Sequence, residues 1–276
     1  MKKLASFLLF TSFSFLLISC SKGYELTSRD AGQYGYEVWQ GHFIVQEGVQ
    51  IPILFGVEGK TETRQVRLFS GPELAHWSYW HETSDSIHFK AGLHSEFRGI
   101  REGNTVSGGY FDGVGTAVER AKFRVQKVDQ QTSPFTPVAN PTPIVPTGTW
   151  TLDFGPLKDL SDSTDLLRYS IDRVKSLDLY RKDNTLLGRA YGAGGIQGFE
   201  GVMTSTGFTC FSFHHSEPFL LEATFTDENA FTATITSTTD VYQVKGKRKS
   251  QNLEDAQFTG SVFRGLYLTI KAYFGW

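Results

Sequence analysis

The run Gln50-Ile51-Pro52-Ile53-Leu54-Phe55-Gly56-Val57, entered from His42-Phe43-Ile44-Val45 through the turn Glu47-Gly48, sets the reading of the whole chain. An apolar run this short, rich in β-branched and aromatic side chains and bounded by a glycine turn, suits a strand better than a buried helix. Such side chains pack well on a pleated surface. Two of these runs joined by a short turn make a hairpin.

The same rhythm extends in both directions. Val38-Trp39 lies upstream; downstream come Arg64-Gln65-Val66-Arg67-Leu68-Phe69, Ser86-Ile87-His88-Phe89 and the segment from His94 to Ile100. Gly103-Asn104 then turns into Thr105-Val106-Ser107-Gly108-Gly109-Tyr110-Phe111, and Ala121-Lys122-Phe123-Arg124-Val125 closes the first half. Between Asp129 and Thr147 the chain changes character, with Pro134, Pro137, Pro141, Pro143 and Pro146, and reads as a semi-extended linker. The second half opens with Gly148-Thr149-Trp150-Thr151-Leu152-Asp153-Phe154, and the stretch from Leu157 to Val174 is expected to hold one short helix. Strand rhythm then resumes, with Ser176 to Tyr180 and Leu186 to Tyr191 around the turn Lys182-Asp183-Asn184. Phe208 to Phe213, Phe219 to Phe225, Phe231 to Ile235 and Val241 to Lys245 complete it.

Composition agrees: 23 Phe and 28 Gly against 2 Met point to sheets joined by tight turns. A net charge of −2 leaves no footprint for nucleic acid. The local exception, Lys245-Gly246-Lys247-Arg248-Lys249, reads as a solvated strand end.

The two halves resemble one another. His94-Ser95-Glu96-Phe97 recurs as His215-Ser216-Glu217-Pro218-Phe219, the turn Gly103-Asn104 matches Glu228-Asn229, and Thr105-Val106-Ser107-Gly108 matches Ala230-Phe231-Thr232-Ala233. A period of roughly 120 residues means duplicated domains, since solenoid repeats run to about 20–50 residues. The expected fold is all-β: two related antiparallel modules, barrel-like or sandwich-like, over residues 33–128 and 148–250, joined by the proline-rich linker 129–147.

Lys2-Lys3 lead into a mostly apolar run from Leu4 to Ile18 that stops at Ser19-Cys20. A charged start, a short apolar stretch and a small residue before the cut describe a cleaved secretory signal over residues 1–19. Leu17-Ile18-Ser19-Cys20 also resembles the lipobox of bacterial lipoproteins, in which the cysteine becomes the lipidated first residue of the mature chain. Acyl chains on Cys20 would anchor the protein to a membrane without a spanning helix. Residues 20–32 then form a solvated leash, and Ser21 after the anchor suggests outer-membrane sorting, on the periplasmic face or at the cell surface. With Cys20 lipidated, Cys210 has no partner in the chain; no C-x-x-C exists, and Phe208-Thr209-Cys210-Phe211 reads as a buried inert thiol.

Other residues carry a family resemblance. Gly35-Tyr36 to Gly41, Ile51-Pro52-Ile53-Leu54-Phe55, Asp85-Ser86-Ile87-His88-Phe89 and Val106-Ser107-Gly108-Gly109-Tyr110 mark the first half. Gly188-Arg189-Ala190-Tyr191-Gly192, Phe199-Glu200-Gly201 and Ser212-Phe213-His214 to Phe219-Leu220 mark the second. Over residues 33 to 250 the chain resembles the non-catalytic N-terminal region of TlpA-like thiol:disulfide lipoproteins. It departs from that pattern at Phe213-His214-His215-Ser216, where relatives have F-D-G-x-H, so no role attached to that aspartate carries over. Relatives also continue into a thioredoxin domain with W-C-x-x-C, whereas the tail over residues 251–276 does not resemble the corresponding continuation in the family; a truncation or frameshift is one reading of that end.

Several groupings invite chemistry. Trp77, Tyr79 and Trp80, expected in a loop between Leu74 and Ile87, could stack on sugar rings, grip an apolar ligand or contact a protein partner. His76, His81 and His88 beside Glu73 and Glu82 have zinc-ligand chemistry without H-E-x-x-H spacing, and half-exposed strand histidines fit the pattern as well. Ser95 and Ser216 each stand between His and Glu, yet adjacent strand positions face opposite ways and cannot assemble a triad by themselves. The Gly192 to Gly198 stretch lacks the final glycine of G-x-G-x-x-G and reads as turn glycines between strands. Asp162 with Asp165, or Glu217 with Glu222, could serve glycoside chemistry only at a separation that sequence does not reveal.

The expected function is therefore non-catalytic: a membrane-anchored recognition or scaffold module associated with periplasmic thiol:disulfide exchange. Its partners would be the membrane, through the anchor, and a thiol:disulfide protein, with no cofactor, metal or nucleic acid. The alternatives are the leading portion of a TlpA-like reductase and a glycan- or lipophilic-ligand-binding protein.

Overall fold

A computed structural model describes residues 36–45, 48–59, 64–70, 73–83, 85–90, 95–112, 117–155, 174–192, 195–214 and 217–251. The signal, the leash, the stretch expected to hold a helix and the C-terminal tail thus lie outside the described residues, as do Cys20, Asp162, Asp165 and Ser216.

The first module is a sheet of β1 (Glu37–Ile44), β2 (Gln50–Glu58), β3 (Gln65–Ser70), β4 (Glu73–Tyr79), β5 (His81–Glu82), β6 (Ser86–Lys90), β7 (Ser95–Glu102), β8 (Thr105–Asp112) and β9 (Val118–Val128). The order is β4-β3-β2-β1-β9-β8-β7-β6-β5, with antiparallel neighbours throughout. Because β9 returns to pair with β1, the two edges are β4 and β5, consecutive in the chain and separated by Trp80 alone. The sheet is thus an up-and-down barrel left open at one seam.

Alternation decides which side chains line its interior. On β9, Ala121, Phe123 and Val125 are buried while Lys122, Arg124 and Gln126 are exposed. The run that opened the sequence reading is β2, buried on both faces. Ile51, Ile53, Phe55 and Val57 face the core, and Leu54 packs outward with Tyr36, Val38 and Phe69. Two-sided burial removes the alternation a one-sided strand shows, and leaves a nearly continuous apolar run.

The second module comprises β10 (Gly148–Asp153), β11 (Val174–Lys182), β12 (Thr185–Gly192), β13 (Gly195–Met203), β14 (Gly207–His214), β15 (Glu217–Asp227), β16 (Ala230–Ser237) and β17 (Val241–Ser250). Pairing of β10 with β17 closes it into a barrel, which leaves no sheet edge exposed. An eight-stranded barrel is just wide enough for side chains to fill. Trp150, Phe199, Phe208, Phe219, Phe231 and Leu179 are among those that fill this one. The turn at Asp183-Asn184 uses the left-handed region, with Asp183 at φ 53°, a conformation that Asp tolerates better than most residues.

The modules repeat each other in their backbone hydrogen bonds. The Thr83 N–H donates to the Ser86 carbonyl as Thr204 does to Gly207, and each threonine hydroxyl caps the returning amide. Arg101 donates to Asp85 as Phe225 does to Thr206, and Lys127 to Asn104 as Arg248 does to Asn229. Trp39 pairs with Lys127 and Trp150 with Arg248, which makes the two tryptophans equivalent.

The modules share one core. Phe211, Phe213 and Leu220, on the outer face of the closed barrel, belong to the buried cluster inside the open sheet. Phe213 stacks on Phe43 at 5.8 Å and meets Phe97 at 5.9 Å and Tyr110 at 6.0 Å. The seam in the first module is therefore compatible with a dry interior, because the second module supplies aromatic surface to it.

Residues 129–147 contain no strand and are fastened along their length. The Gln40 amide exchanges two hydrogen bonds with the Thr132 backbone, and Phe135 lies 5.8 Å from Phe211. Thr142 N–H donates to Thr204 O. Arg181 donates to the carbonyls of Thr142 and Ile144, and Arg248 to those of Val145 and Thr147. The connection is semi-extended, but it is a strap across the top of the second barrel.

A candidate binding site at the Trp39 end of the first module

The β1, β3, β5, β7 and β9 ends that meet near Trp39 carry Glu37, Arg64, Glu82, Arg101 and Lys127. These partly exposed charges form one connected network. Arg64 bridges Glu37 and Glu82, each at 2.9 Å, Arg101 also binds Glu82, and Lys127 stands 3.3 Å from Glu37. Trp80 Nε1–H donates to Glu82 at 2.9 Å. Partial burial works against the charge of Glu82, but the hydrogen bonds from Trp80 and Arg101 and the two guanidinium charges outweigh it and hold its pKa below the ordinary carboxylate range.

Under this network lies Trp39, fully buried, with the Arg101 guanidinium 5.5 Å from its ring centroid. Its indole Nε1–H has no hydrogen-bond partner. A buried donor left unpaired costs about 1–3 kcal/mol, so such groups are uncommon in native proteins.

Of the three aromatic residues singled out in the sequence, Trp80 is placed otherwise than expected. Its ring is 3% exposed and packs against Phe89 at 5.6 Å, Trp39 at 5.8 Å and Phe55 at 6.0 Å. It fills the core where the chain passes from one edge of the sheet to the other. The expected loop is strand β4, in which Trp77 pairs with Arg67 and Tyr79 with Gln65. The side chains of Trp77 and Tyr79 lie outside the described residues.

Other candidates are dispersed. His81 and His88 face each other across β5–β6 with rings 6.2 Å apart, but His88 binds Glu96 and the Glu82 carboxylate is taken by guanidinium groups. No group of three or more His, Cys, Asp or Glu suited to a metal occurs among the described residues. Ser95 is buried and donates to Asp112 at 3.0 Å, while the neighbouring Glu96 turns the other way to His88. Cys210 is sealed in the second barrel, where burial pushes its thiol well above the ordinary range. Gly192 and Gly195 are paired ends of a hairpin, not a loop leading into a helix. In the basic run, Lys245, Lys247 and Lys249 are exposed and Arg248 alone turns to the strap and to Trp150.

Comparison of the chain with protein-family models and with curated proteins finds no match. The network around Trp39 was missed in the sequence because its members are scattered over five strands. One signal was present: each module opens with a tryptophan in its first strand, at Glu37-Val38-Trp39 and Gly148-Thr149-Trp150.

Proposed function

We propose that this chain is a non-catalytic recognition or scaffold module, held to the outer membrane by lipid on Cys20, that places a thiol:disulfide protein near its substrates. The carrying observation is that Cys210, the only cysteine besides Cys20, is buried with its thiolate disfavoured, whereas the partly exposed charged end around Trp39 offers groups for recognition. Thiol exchange needs a reachable thiolate, so redox chemistry in this assembly belongs to a partner. The resemblance to the region that precedes the thioredoxin domain in TlpA-like lipoproteins points the same way.

The test is crosslinking in native membranes followed by intact-mass analysis. Acyl mass on a chain beginning at Cys20, together with a crosslinked partner carrying a C-x-x-C pair, is the expected result. A polypeptide larger by about 15 kDa, the size of one ordinary domain, would instead make this the leading part of a reductase.

A further inference from the structure

The second module shows what the tryptophan end of such a barrel can hold. Trp150 Nε1–H donates at 2.8 Å to the carbonyl of Pro146, in the strap that crosses the barrel end. The Arg248 guanidinium lies 4.6 Å from the Trp150 ring centroid and donates to the carbonyls of Val145 and Thr147, at 2.7 and 3.0 Å. One indole and one stacked guanidinium thus grip three main-chain carbonyls of an extended segment. Its prolines at 141, 143 and 146 restrict the chain in advance and lower the ordering cost of binding.

The first module has the same parts without the segment. Trp39 is equivalent to Trp150, and Arg101 stands over it as Arg248 stands over Trp150, but its indole N–H has no acceptor and its guanidinium is held by Glu82. The residues before β1, Asp30-Ala31-Gly32-Gln33-Tyr34-Gly35, contain two glycines and no proline, so they lack the restriction that 141–146 possess.

Resting on the recognition reading above, we infer that the Trp39 end of the first module binds an extended, proline-containing peptide of a partner protein through its main-chain carbonyls. Trp39 Nε1–H donates to one carbonyl. Arg101, remaining over the ring, exchanges Glu82 for the adjacent ones. Side-chain selectivity is weak in such a mode, and proline is favoured because it pre-orders the strand and brings no amide donor of its own.

The experiment uses the full chain in detergent with 15N-labelled indoles, whose five tryptophan signals are resolved by Trp39→Phe and Trp150→Phe. The probe is a synthetic peptide with the sequence of residues 139–147. Saturable movement of the Trp39 indole signal, with Trp150 unmoved, is expected. Arg101→Gln should weaken binding by roughly tenfold, the order of one charge-assisted hydrogen bond; should that variant not fold, Trp39→Phe, which keeps a ring and removes the donor, should weaken it similarly. An unmoved Trp39 signal overturns the inference. So does a Trp39 signal that shifts when residues 21–35 are removed and takes up the peptide only then, because the chain's own preceding residues would be the occupant. Failure of the peptide beside a crosslinked C-x-x-C partner removes this site and leaves the recognition reading standing; loss of the partner with peptide binding intact does the reverse.

Discussion

Phe213 of the closed barrel stacks on Phe43 of the open sheet with ring centroids 5.8 Å apart and planes 11° from parallel. Phe213 is 1% exposed although it points out of its own barrel, because the other module surrounds it. Replacing it by alanine should cost about 3–5 kcal/mol, as for a large aromatic removed from a core. Since both modules lean on this contact, urea denaturation of the wild type should show one transition by tryptophan fluorescence and by circular dichroism alike. Phe213→Ala should lower the midpoint and separate the two probes; two resolved transitions already in the wild type would contradict the shared core.

Arg248→Lys tests the strap. Lysine keeps the charge but not the planar fork that reaches Val145 and Thr147 while stacked on Trp150. Faster cleavage by added protease between residues 129 and 147 is expected, together with faster hydrogen exchange there. Unchanged cleavage would mean that Arg181 and Gln40 suffice to hold the connection.

The Glu82 network makes stability depend on pH in a definite direction. Its carboxyl titrates lower in the folded chain than in the unfolded one, so between those two values the unfolded state binds more protons and stability rises with pH. The contribution is complete above the ordinary carboxylate value and is lost as pH falls through the folded one. Glu96 is shifted the same way, its burial outweighed by His88 and Arg98. Equilibrium denaturation along a falling pH series should give a shallower decline for Glu82→Gln than for the wild type; parallel declines would remove Glu82 from the acid response.

Cys210 should be silent toward thiol reagents. In the native protein its labelling by a maleimide should track global unfolding, and labelling should become rapid in denaturant. Cys210→Ser puts a hydroxyl into an apolar barrel and should destabilise by about 1–3 kcal/mol. Prompt native-state labelling would contradict the buried placement and reopen thiol chemistry for this chain.

The alternation along β9 and the turns Gly103-Asn104 and Asp183-Asn184 made the strands legible in the sequence, because strand formation and tight turns arise from local periodicity and backbone preference. So was the duplication, whose His-Ser-Glu copies fall at the starts of β7 and β15. Trp77 and Trp80 were placed in a loop because aromatic residues crowded within four positions do not alternate; β4 nevertheless forms, and the chain turns at Trp80 between the two edges of one sheet.

By itself, then, the sequence determined an all-β chain of two related antiparallel modules with a proline-rich connection, since each of those properties is written in neighbouring residues. Tertiary structure alone decided that one module closes and the other stays open at Trp80, that Phe211, Phe213 and Leu220 complete the neighbour's core, and that Trp39, Arg64, Glu82 and Arg101 meet at one end. Those outcomes depend on contacts between residues far apart in the chain, where the loop-closure cost is met by burial that no local pattern records.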